Sequence, residues 1–241
     1  MFEPIDVTVS EINELTNDVK SYTLDLSGNT IDYLPGQYIQ IIAPIEKENC
    51  DQRCNIRSYS IASSSTETAI NGKIMIATKF AKVNSSVFKK YLINLKVGDK
   101  FQIRGPMGRF LLQENYSKPA VMLSGGIGVT PFRNMIKFAN DKKLPLKITL
   151  IYSNKTLEDI VWQNEFDQIA QTNPNFKIVN TITDQTDGLE NWQGEKGYIN
   201  SEMVKKYTED ITNTIFYICG PKAMVDAMKQ VLVDINIAEE N

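Results

Sequence analysis

A glycine-rich segment in the second half of the chain combines residue types that can bind the phosphates of a nucleotide. It reads LSGGIGVTP from residue 123 to residue 131, between a short apolar run and a helical pattern. Backbone amides at a helix start favour an anion, and glycines let a phosphate approach the chain closely. Pro131 suits the first helical position, with Thr130 as the cap. The spacing is not G-x-G-x-x-G, so a turn that only packs a helix on a sheet remains the alternative.

A cysteine near the end of the chain stands where a bound cofactor could contact it. In the sequence YICGP, residues 217–221, Cys219 occupies the carboxyl end of a predicted strand just before a predicted helix. Ligands of open α/β sheets bind at that edge. An ordinary buried cysteine without a role is the alternative, since free cysteines are commonly buried.

The segment RSYSIAS, residues 57–63, alternates polar and apolar side chains on a predicted strand. Alternation places Arg57 and Tyr59 on one face of that strand. An arginine beside an aromatic ring suits a cofactor that carries both a phosphate and a planar ring. An exposed strand with one arginine is the alternative. Two further turns, LPGQ from residue 34 and GPMG from residue 105, are compatible with simple turn chemistry.

The chain contains no histidine. This absence excludes histidine-based triads, zinc–histidine sites and histidine general bases. The chemistry must therefore come from a cofactor or from carboxylate, lysine, tyrosine, serine or cysteine side chains. The three cysteines suit a reducing compartment, and Cys50 with Cys54 provides too few ligands to predict a zinc or iron–sulfur site.

Length and charge narrow the class of protein. A chain of 241 residues favours two domains, since one domain has on the order of 100–200 residues. The net charge of −3, with scattered lysine and arginine, argues against a nucleic-acid-binding surface. The apolar runs are much shorter than the ~20 residues that cross a bilayer, and no secretory signal pattern is visible. We therefore expect a cytoplasmic protein that binds neither nucleic acid nor a membrane.

The two halves of the chain contain different patterns of predicted elements. Short strands separated by turn residues predict an antiparallel six-stranded β-barrel in the first half, with one helix at residues 86–95. In the second half, alternating strands and helices predict an α/β domain with a parallel sheet and helices on both faces. A polar segment at residues 113–118 separates the halves, which predicts domains at residues 1–114 and 115–241.

The predicted elements have the following bounds. The barrel strands are predicted at residues 7–11, 20–26, 38–43, 57–62, 73–79 and 100–104. The strands of the α/β domain are predicted at residues 120–124, 147–152, 177–183 and 214–219, and its helices at residues 131–141, 157–170, 201–207 and 222–233.

Taken in order, the five motifs resemble the ferredoxin-NADP reductase superfamily over nearly the whole chain. The family pattern is a proline-glycine-glutamine turn, an R-x-Y-S strand, a G-P-x-G turn, a G-G-x-G-x-T-P loop and a late C-G-P, and all five occur here. The resemblance implies an FAD-binding β-barrel followed by a nucleotide-binding α/β domain, and hydride transfer from NAD(P)H to FAD.

The resemblance also implies roles for residues of the first domain. Arg57 would pair with the flavin diphosphate, Tyr59 would stack on the isoalloxazine ring, and Ser60 would hydrogen-bond the flavin nitrogen that receives the hydride. Ser58 belongs to the same cofactor-binding strand, and Ser86 would cap the diphosphate at a helix start.

In the second domain, the resemblance implies that Cys219 lies beside the nicotinamide carbon that donates the hydride. Gly220 and Pro221 would shape that site. Together with Tyr59 and Ser60, Cys219 completes the predicted catalytic set. The nicotinamide dinucleotide would be held by Gly125, Gly126, Gly128 and Thr130.

The choice between the two nicotinamide nucleotides depends on the loop after the second strand of this domain. A 2′-phosphate would be bound there by Ser153 and Lys155, with no carboxylate among residues 152–155 to repel it, which favours NADPH over NADH. A solvated loop without a binding role is the alternative.

The electron acceptor is expected to be a separate protein. The plant-type C-x₄-C-x₂-C iron–sulfur pattern is absent from the sequence, so we expect transfer to ferredoxin, flavodoxin or an oxygenase component. A second hypothesis is a flavin-binding electron-relay subunit of a larger redox complex with little activity of its own. A third is a binding protein without flavin.

Overall fold

The computed structural model describes residues 2–45, 55–80, 86–184 and 189–237. The expectation for Cys50 and Cys54 lies outside the described residues. The chain divides into two compact units, Met1–Leu112 with Thr130–Phe138, and Gln113–Val129 with Ala139–Asn241. The predicted boundary between residues 114 and 115 stays a prediction. Within the described ranges, no helix is long and apolar enough to cross a membrane.

The first unit contains a six-stranded sheet in which neighbouring strands are antiparallel, as the sequence predicts. Buried side chains alternate with more exposed ones along its strands, which is typical of a sheet with one face on a core. The Ala62 amide donates to the Met75 carbonyl (2.6 Å), a bond that joins the two edges of the sheet. The strands are β1 Ile5–Thr16, β2 Val19–Asp25, β3 Tyr38–Ile42, β4 Ile56–Ser60, β5 Lys73–Lys79 and β6 Lys100–Met107, in the order β4-β3-β6-β1-β2-β5.

Two short helices lie between strands of this sheet in the chain, whereas the sequence pattern predicts only one. The predicted helix is α2, Val87–Ile93, and the additional helix is α1, Ser65–Asn71. A capping box begins α1: the Glu67 amide donates to the Ser64 hydroxyl (3.2 Å), and the Ser64 amide donates to the Glu67 carboxylate (2.8 Å). The S-x-x-E signal is present in the sequence, but Thr68 is the one buried residue of α1, so no apolar face indicates a helix.

The second unit contains a five-stranded parallel sheet. Four strands match those that the sequence predicts, and the fifth has only two residues, too few for a recognisable pattern. All six residues of the strand Ala120–Gly125, which has a neighbour on each side, are buried, as expected when both faces of a parallel sheet are covered. The strands are β7 Ala120–Gly125, β8 Ile148–Asn154, β9 Phe176–Ile182, β10 Glu195–Lys196 and β11 Ile215–Cys219, in the order β10-β9-β8-β7-β11.

The predicted helix at residues 157–170 is wrong in its first part. Leu157–Asp159 forms a single 3₁₀ turn, and the α-helix begins only at Gln163. Trp162 has a φ of +56°, in the left-handed region, and a residue in that conformation cannot continue a right-handed helix. The helices after residue 129 are α3 Thr130–Asp141, α4 Gln163–Thr172, α5 Ser201–Tyr207 and α6 Lys222–Asp234.

The segment that follows β4 is buried although it has no regular structure. The Tyr33 hydroxyl donates to the Ser63 carbonyl (3.0 Å), and the Met75 amide donates to the Ser63 hydroxyl (2.9 Å). Tyr33 is 5% exposed, and burial raises its pKa to about 12, so its hydroxyl stays a donor at neutral pH. Side chains thus supply part of the hydrogen bonding that a strand or helix would otherwise make, and the backbone amides of Ile61 and Ala62 supply the rest by donating to Gln37 and Met75.

The substitution Tyr33→Phe should lower the free energy of unfolding by about 1–3 kcal/mol, because the buried Ser63 carbonyl loses its donor. Urea denaturation of the two proteins measures the difference. The matched control is Tyr198→Phe, since Tyr198 is 78% exposed and its substitution should change stability by less than about 0.5 kcal/mol. Equal losses in the two variants would contradict the proposed role of the Tyr33 hydroxyl.

Candidate functional site

Strand β4 presents the predicted flavin-binding side chains in the expected alternation. Arg57, Tyr59 and Ser60 are half-buried, and Ser58 is exposed. The strand pairs with β3, and Ser60 lies opposite Tyr38. Arg57 and Tyr59 therefore share one face of the strand, as their spacing predicts.

Tyr59 and Arg57 both contact the aromatic ring of Phe88 on α2. The ring centroids of Tyr59 and Phe88 are 6.1 Å apart with an interplanar angle of 22°, which is a stacked arrangement. The guanidinium carbon of Arg57 lies 5.8 Å from the centre of the Phe88 ring. Burial raises the pKa of Tyr59 to about 12, so the ring is neutral at physiological pH.

One cation at this site, Lys89, is not among the residues predicted from the sequence. Its Nζ lies 5.7 Å from the ring centre of Tyr59 and 5.3 Å from that of Phe80. The same ammonium donates to the Lys79 carbonyl (2.7 Å) and to the Thr78 hydroxyl. No sequence signal identifies it, because a lysine on a short amphipathic helix is ordinarily a solvated residue.

Ser86, the predicted diphosphate cap, occupies the N-cap position of α2. Its hydroxyl accepts a hydrogen bond from the Lys89 amide (3.3 Å), and the side chain is exposed. The hydroxyl therefore caps the helix itself. Its role toward a cofactor stays a prediction.

Two side chains of α3 bind carbonyl groups just beyond β4. The Asn134 amide donates to the Ile61 carbonyl (3.0 Å), and the Arg133 guanidinium donates to the Ala62 carbonyl (2.8 Å). Arg133 also forms a two-point ion pair with Glu67, with both N–O distances 3.2 Å. Because Arg133 is 6% exposed, this pairing compensates a buried charge and fixes the backbone next to Ser60.

The glycine-rich segment forms a turn between β7 and α3, as the sequence predicts, but its details differ. Gly126–Val129 is one turn of 3₁₀ helix, and α3 follows it directly. Thr130 is therefore the first residue of α3 and not a cap that precedes Pro131. The prediction of the cap is wrong because the 3₁₀ turn already begins the helical backbone four residues earlier.

The glycines of this turn differ in what surrounds them. A Cβ at Gly128 would lie 2.4 Å from the Cys219 carbonyl oxygen, and one at Gly125 would lie 2.3 Å from the Met224 sulfur. Gly128 thus allows close packing against the end of β11, and Gly125 against α6. Gly126, with a φ of +52°, has no atom within 4 Å of its Cβ position. Its backbone is the part of the turn that a phosphate can approach.

Cys219 lies at the carboxyl end of β11, the sheet edge that the sequence predicts for it. It is half-buried and stands in register with Ser124 of β7. Burial raises the pKa of its thiol to about 11, so the thiol is protonated at neutral pH. Gly220 and Pro221 follow it, and Pro221 occupies the N-cap position of α6.

Ser153 and Lys155 flank the end of β8. Ser153 is half-buried and Lys155 is exposed. The 3₁₀ turn that follows contains two carboxylates, those of Glu158 and Asp159. The amide and the hydroxyl of Thr156 both donate to the Asp159 carboxylate (3.3 and 3.5 Å). These acidic residues weaken the electrostatic argument for a 2′-phosphate at this loop.

The residues present fit the two cofactors that the resemblance implies. A flavin nucleotide carries a planar ring and a phosphate chain, and the first unit offers the half-buried Tyr59 ring, stacked on the buried Phe88, with Arg57 and Lys89 beside these rings. A dinucleotide carries a pyrophosphate, and the second unit offers a glycine turn with open space at Gly126. The individual roles of the predicted residues stay predictions.

Two family models match the chain. Residues 6–111 match the oxidoreductase FAD-binding domain, and residues 122–230 match the oxidoreductase NAD-binding domain. Over 235 residues the chain is 31% identical to flavohemoprotein A of Dictyostelium discoideum, covering 96% of this chain and 57% of that protein. Over 231 residues it is 30% identical to NADH-cytochrome b5 reductase 1 of Aspergillus terreus, covering 92% of this chain and 74% of that protein.

Solved structures share the fold. The flavohem-like FAD/NAD-binding domain of nitric oxide dioxygenase from Vibrio cholerae matches with a TM-score of 0.82 at 24% identity, covering 98% of this chain and 95% of that one. Ferredoxin-NADP+ reductase from Plasmodium falciparum matches with a TM-score of 0.76 at 19% identity, covering 98% of this chain and 92% of that one. At these identities the likeness concerns the fold alone.

The fold and the matched domains define an oxidoreductase with FAD-binding and NAD-binding domains. The chain belongs to the ferredoxin-NADP reductase superfamily. The resemblance drawn from the five motifs and the two-domain fold class are therefore confirmed.

The substitution Gly128→Ala should destabilise the protein by about 1–3 kcal/mol, because its Cβ would meet the backbone carbonyl of Cys219. Gly220→Ala is the matched control in the same region. Its Cβ would lie 2.8 Å from the sulfur of the flexible Met224 side chain and no closer than 3.2 Å to backbone, at the Gly125 nitrogen, so a smaller loss is expected. Urea denaturation gives both values, and a larger loss in Gly220→Ala would refute the close packing at Gly128.

Alkylation of Cys219 by iodoacetamide should be on the order of 100-fold slower at pH 8 in the folded protein than in the urea-unfolded chain. A thiol pKa of about 11 leaves far less thiolate than the ordinary value of about 8.5. Since the folded pKa is raised, the rate should keep rising with pH up to about 11. Mass spectrometry of the Cys219 peptide measures it, and a rate that levels off below pH 9 would contradict the raised pKa.

Proposed function

We propose that the protein is a flavin-dependent reductase that transfers a hydride from a nicotinamide dinucleotide to FAD and passes the electrons to a separate acceptor. The observation that carries the proposal is the presence of an FAD-binding domain, residues 6–111, and an NAD-binding domain, residues 122–230, in one chain. When bound, FAD would supply the redox chemistry, as the acceptor of the hydride and the donor of electrons to the acceptor. The chain binds and orients the reactants, and this needs no histidine.

In the proposed site, three side chains of β4 hold the flavin. Tyr59 stacks on the ring system, Arg57 pairs with the phosphates, and Ser60 hydrogen-bonds the ring nitrogen that receives the hydride. The position of Arg57 and Tyr59 on one half-buried face supports this assignment. The hydrogen bonds from Arg133 and Asn134 to the segment after Ser60 support it further, because they restrict movement of the strand end.

Cys219 packs against the nicotinamide in the proposed complex. Its raised pKa keeps the thiol neutral at physiological pH, so it adds no charge beside the ring. A small polarizable side chain suits contact with an aromatic ring. Gly125, Gly126 and Gly128, with Thr130, bind the dinucleotide at the turn before α3.

NADPH remains the predicted donor, and NADH is the alternative. An exposed Lys155 beside Ser153 supports binding of a 2′-phosphate. The carboxylates of Glu158 and Asp159 in the next turn favour NADH, as does the name of the relative NADH-cytochrome b5 reductase 1. A comparison of the two donors decides between them.

The proposed acceptor is a separate electron-transfer protein such as ferredoxin, flavodoxin or an oxygenase component. An electron-relay subunit of a larger redox complex is the second candidate. It is favoured by the match to flavohemoprotein A, in which the corresponding segment is 57% of a longer chain. The cytoplasmic location stays a prediction.

The proposal is tested by mixing FAD-loaded protein anaerobically with NADPH and, separately, with NADH. The visible absorption band of the flavin should bleach with at least one donor, and stopped-flow rates rank the two. Cys219→Ala should slow bleaching about 10-fold or more with little loss of flavin, because the nicotinamide loses its positioning contact. Arg57→Ala should lose flavin instead, because the phosphates lose a charge-assisted partner.

Three other outcomes would favour the relay subunit or refute both candidate functions. Flavin that binds but bleaches with neither donor would refute the reductase and favour the relay subunit. Rapid bleaching without turnover of an artificial acceptor such as ferricyanide would also favour the relay subunit. Purified protein that binds no FAD would refute both.

A further inference from the structure

The ammonium group of Lys89 is a partly buried positive charge in the first unit. The side chain is half-buried between α2 and β5, and its hydrogen-bond partners are two neutral oxygens, the Lys79 carbonyl and the Thr78 hydroxyl. Among the described residues no carboxylate forms an ion pair with it. The charged lysine next to it in space, Lys79, is paired with Asp18 (3.0 Å). Within the part of the chain that the structure describes, Lys89 thus carries a partly buried positive charge without a negative partner.

Such a charge is costly unless an anion joins it. Desolvation alone lowers the pKa of Lys89 to about 8, so the ammonium is less stable here than in water. Aromatic faces and neutral oxygens offset only part of that cost. An anionic ligand beside the ammonium would compensate the desolvation cost of this charge, because a charge-assisted hydrogen bond is about twice as strong as a neutral one.

The surroundings indicate which anion. Lys89 Nζ lies over the ring of Tyr59, while the Arg57 guanidinium lies over Phe88, whose ring stacks on Tyr59. Two cations therefore stand beside one pair of aromatic rings, within the unit that carries the FAD-binding domain. A ligand with a planar ring and a phosphate chain matches both features at once.

We propose that Lys89 binds the phosphate chain of the flavin nucleotide through its ammonium group. This inference rests on the flavin-binding part of the proposed function and not on the hydride transfer. It adds to the β4 strand motif a residue from α2 that no sequence pattern indicates. A purely structural Lys89 would only tie α2 to β5 through its two hydrogen bonds.

The test measures the dissociation constants of FAD, FMN and riboflavin for the apoprotein by flavin fluorescence. Lys89→Gln keeps a hydrogen-bond donor for Thr78 and Lys79 but removes the charge. We expect it to weaken FAD and FMN binding about 10-fold or more and to leave riboflavin, which has no phosphate, within about twofold. Lys89→Arg restores the charge and should recover most of the affinity for the two phosphorylated flavins.

The matched control is Lys90→Gln, which removes the charge of the next residue on α2, an exposed one. It should leave all three constants unchanged. If Lys89→Gln does not fold, as judged by its circular dichroism spectrum and unfolding midpoint, Lys89→Met provides a second neutral variant of similar length.

The outcomes separate this proposal from the proposed function. An equal loss for all three flavins, or no loss for FAD and FMN, overturns the phosphate role of Lys89 while the reductase proposal stands. A selective loss for FAD and FMN supports the role, even where neither nicotinamide donor bleaches the flavin. Wild-type protein that binds none of the three flavins overturns both proposals.

Discussion

The hydrogen bonds between α3 and the backbone just beyond β4 are the constraint on which the first unit depends. Arg133 and Asn134 donate to the carbonyls of Ala62 and Ile61, and Arg133 is held in turn by Glu67. A guanidinium that is 6% exposed must keep these partners, since an unpaired buried charge costs several kcal/mol. These side-chain bonds to the two carbonyls add to the backbone bonds that the Ile61 and Ala62 amides make, and together they hold the segment after β4.

This constraint connects the proposed chemistry to the fold. The proposed flavin-binding residues Tyr59 and Ser60 end β4, so the fixed carbonyls immediately follow them. Glu67 links the same network to the capping box of α1, which explains why a short helix stands at this point. Transfer of a hydride requires reactants held in one orientation, and a rigid strand end provides that better than a free loop.

Much of this organisation follows from the sequence. The R-x-Y-S strand, the glycine-rich segment and the late C-G-P are each a short stretch of the chain. The chemistry that their residue types allow can be recognised from the sequence alone. Strand alternation and the change of pattern after residue 119 predict the two sheets correctly. The wrong or missing elements are short or interrupted: the helix α1, the two-residue β10 and the break at Trp162. Neither an apolar helical face nor a strand alternation is visible in α1 and β10, and nothing local in the sequence indicates the left-handed residue Trp162.

The sequence by itself determined the family, the class of cofactors and the order of the two domains, because each depends on neighbouring residues or on repeating patterns. Only the tertiary structure decided which polar side chains are buried and what they contact. Lys89 and Arg133 look like surface residues of amphipathic helices, yet one lies over Tyr59 and the other holds the Ala62 carbonyl. Their partners are 30 and 71 residues away in the chain. Because helix and strand patterns relate only residues a few positions apart, they cannot indicate such contacts.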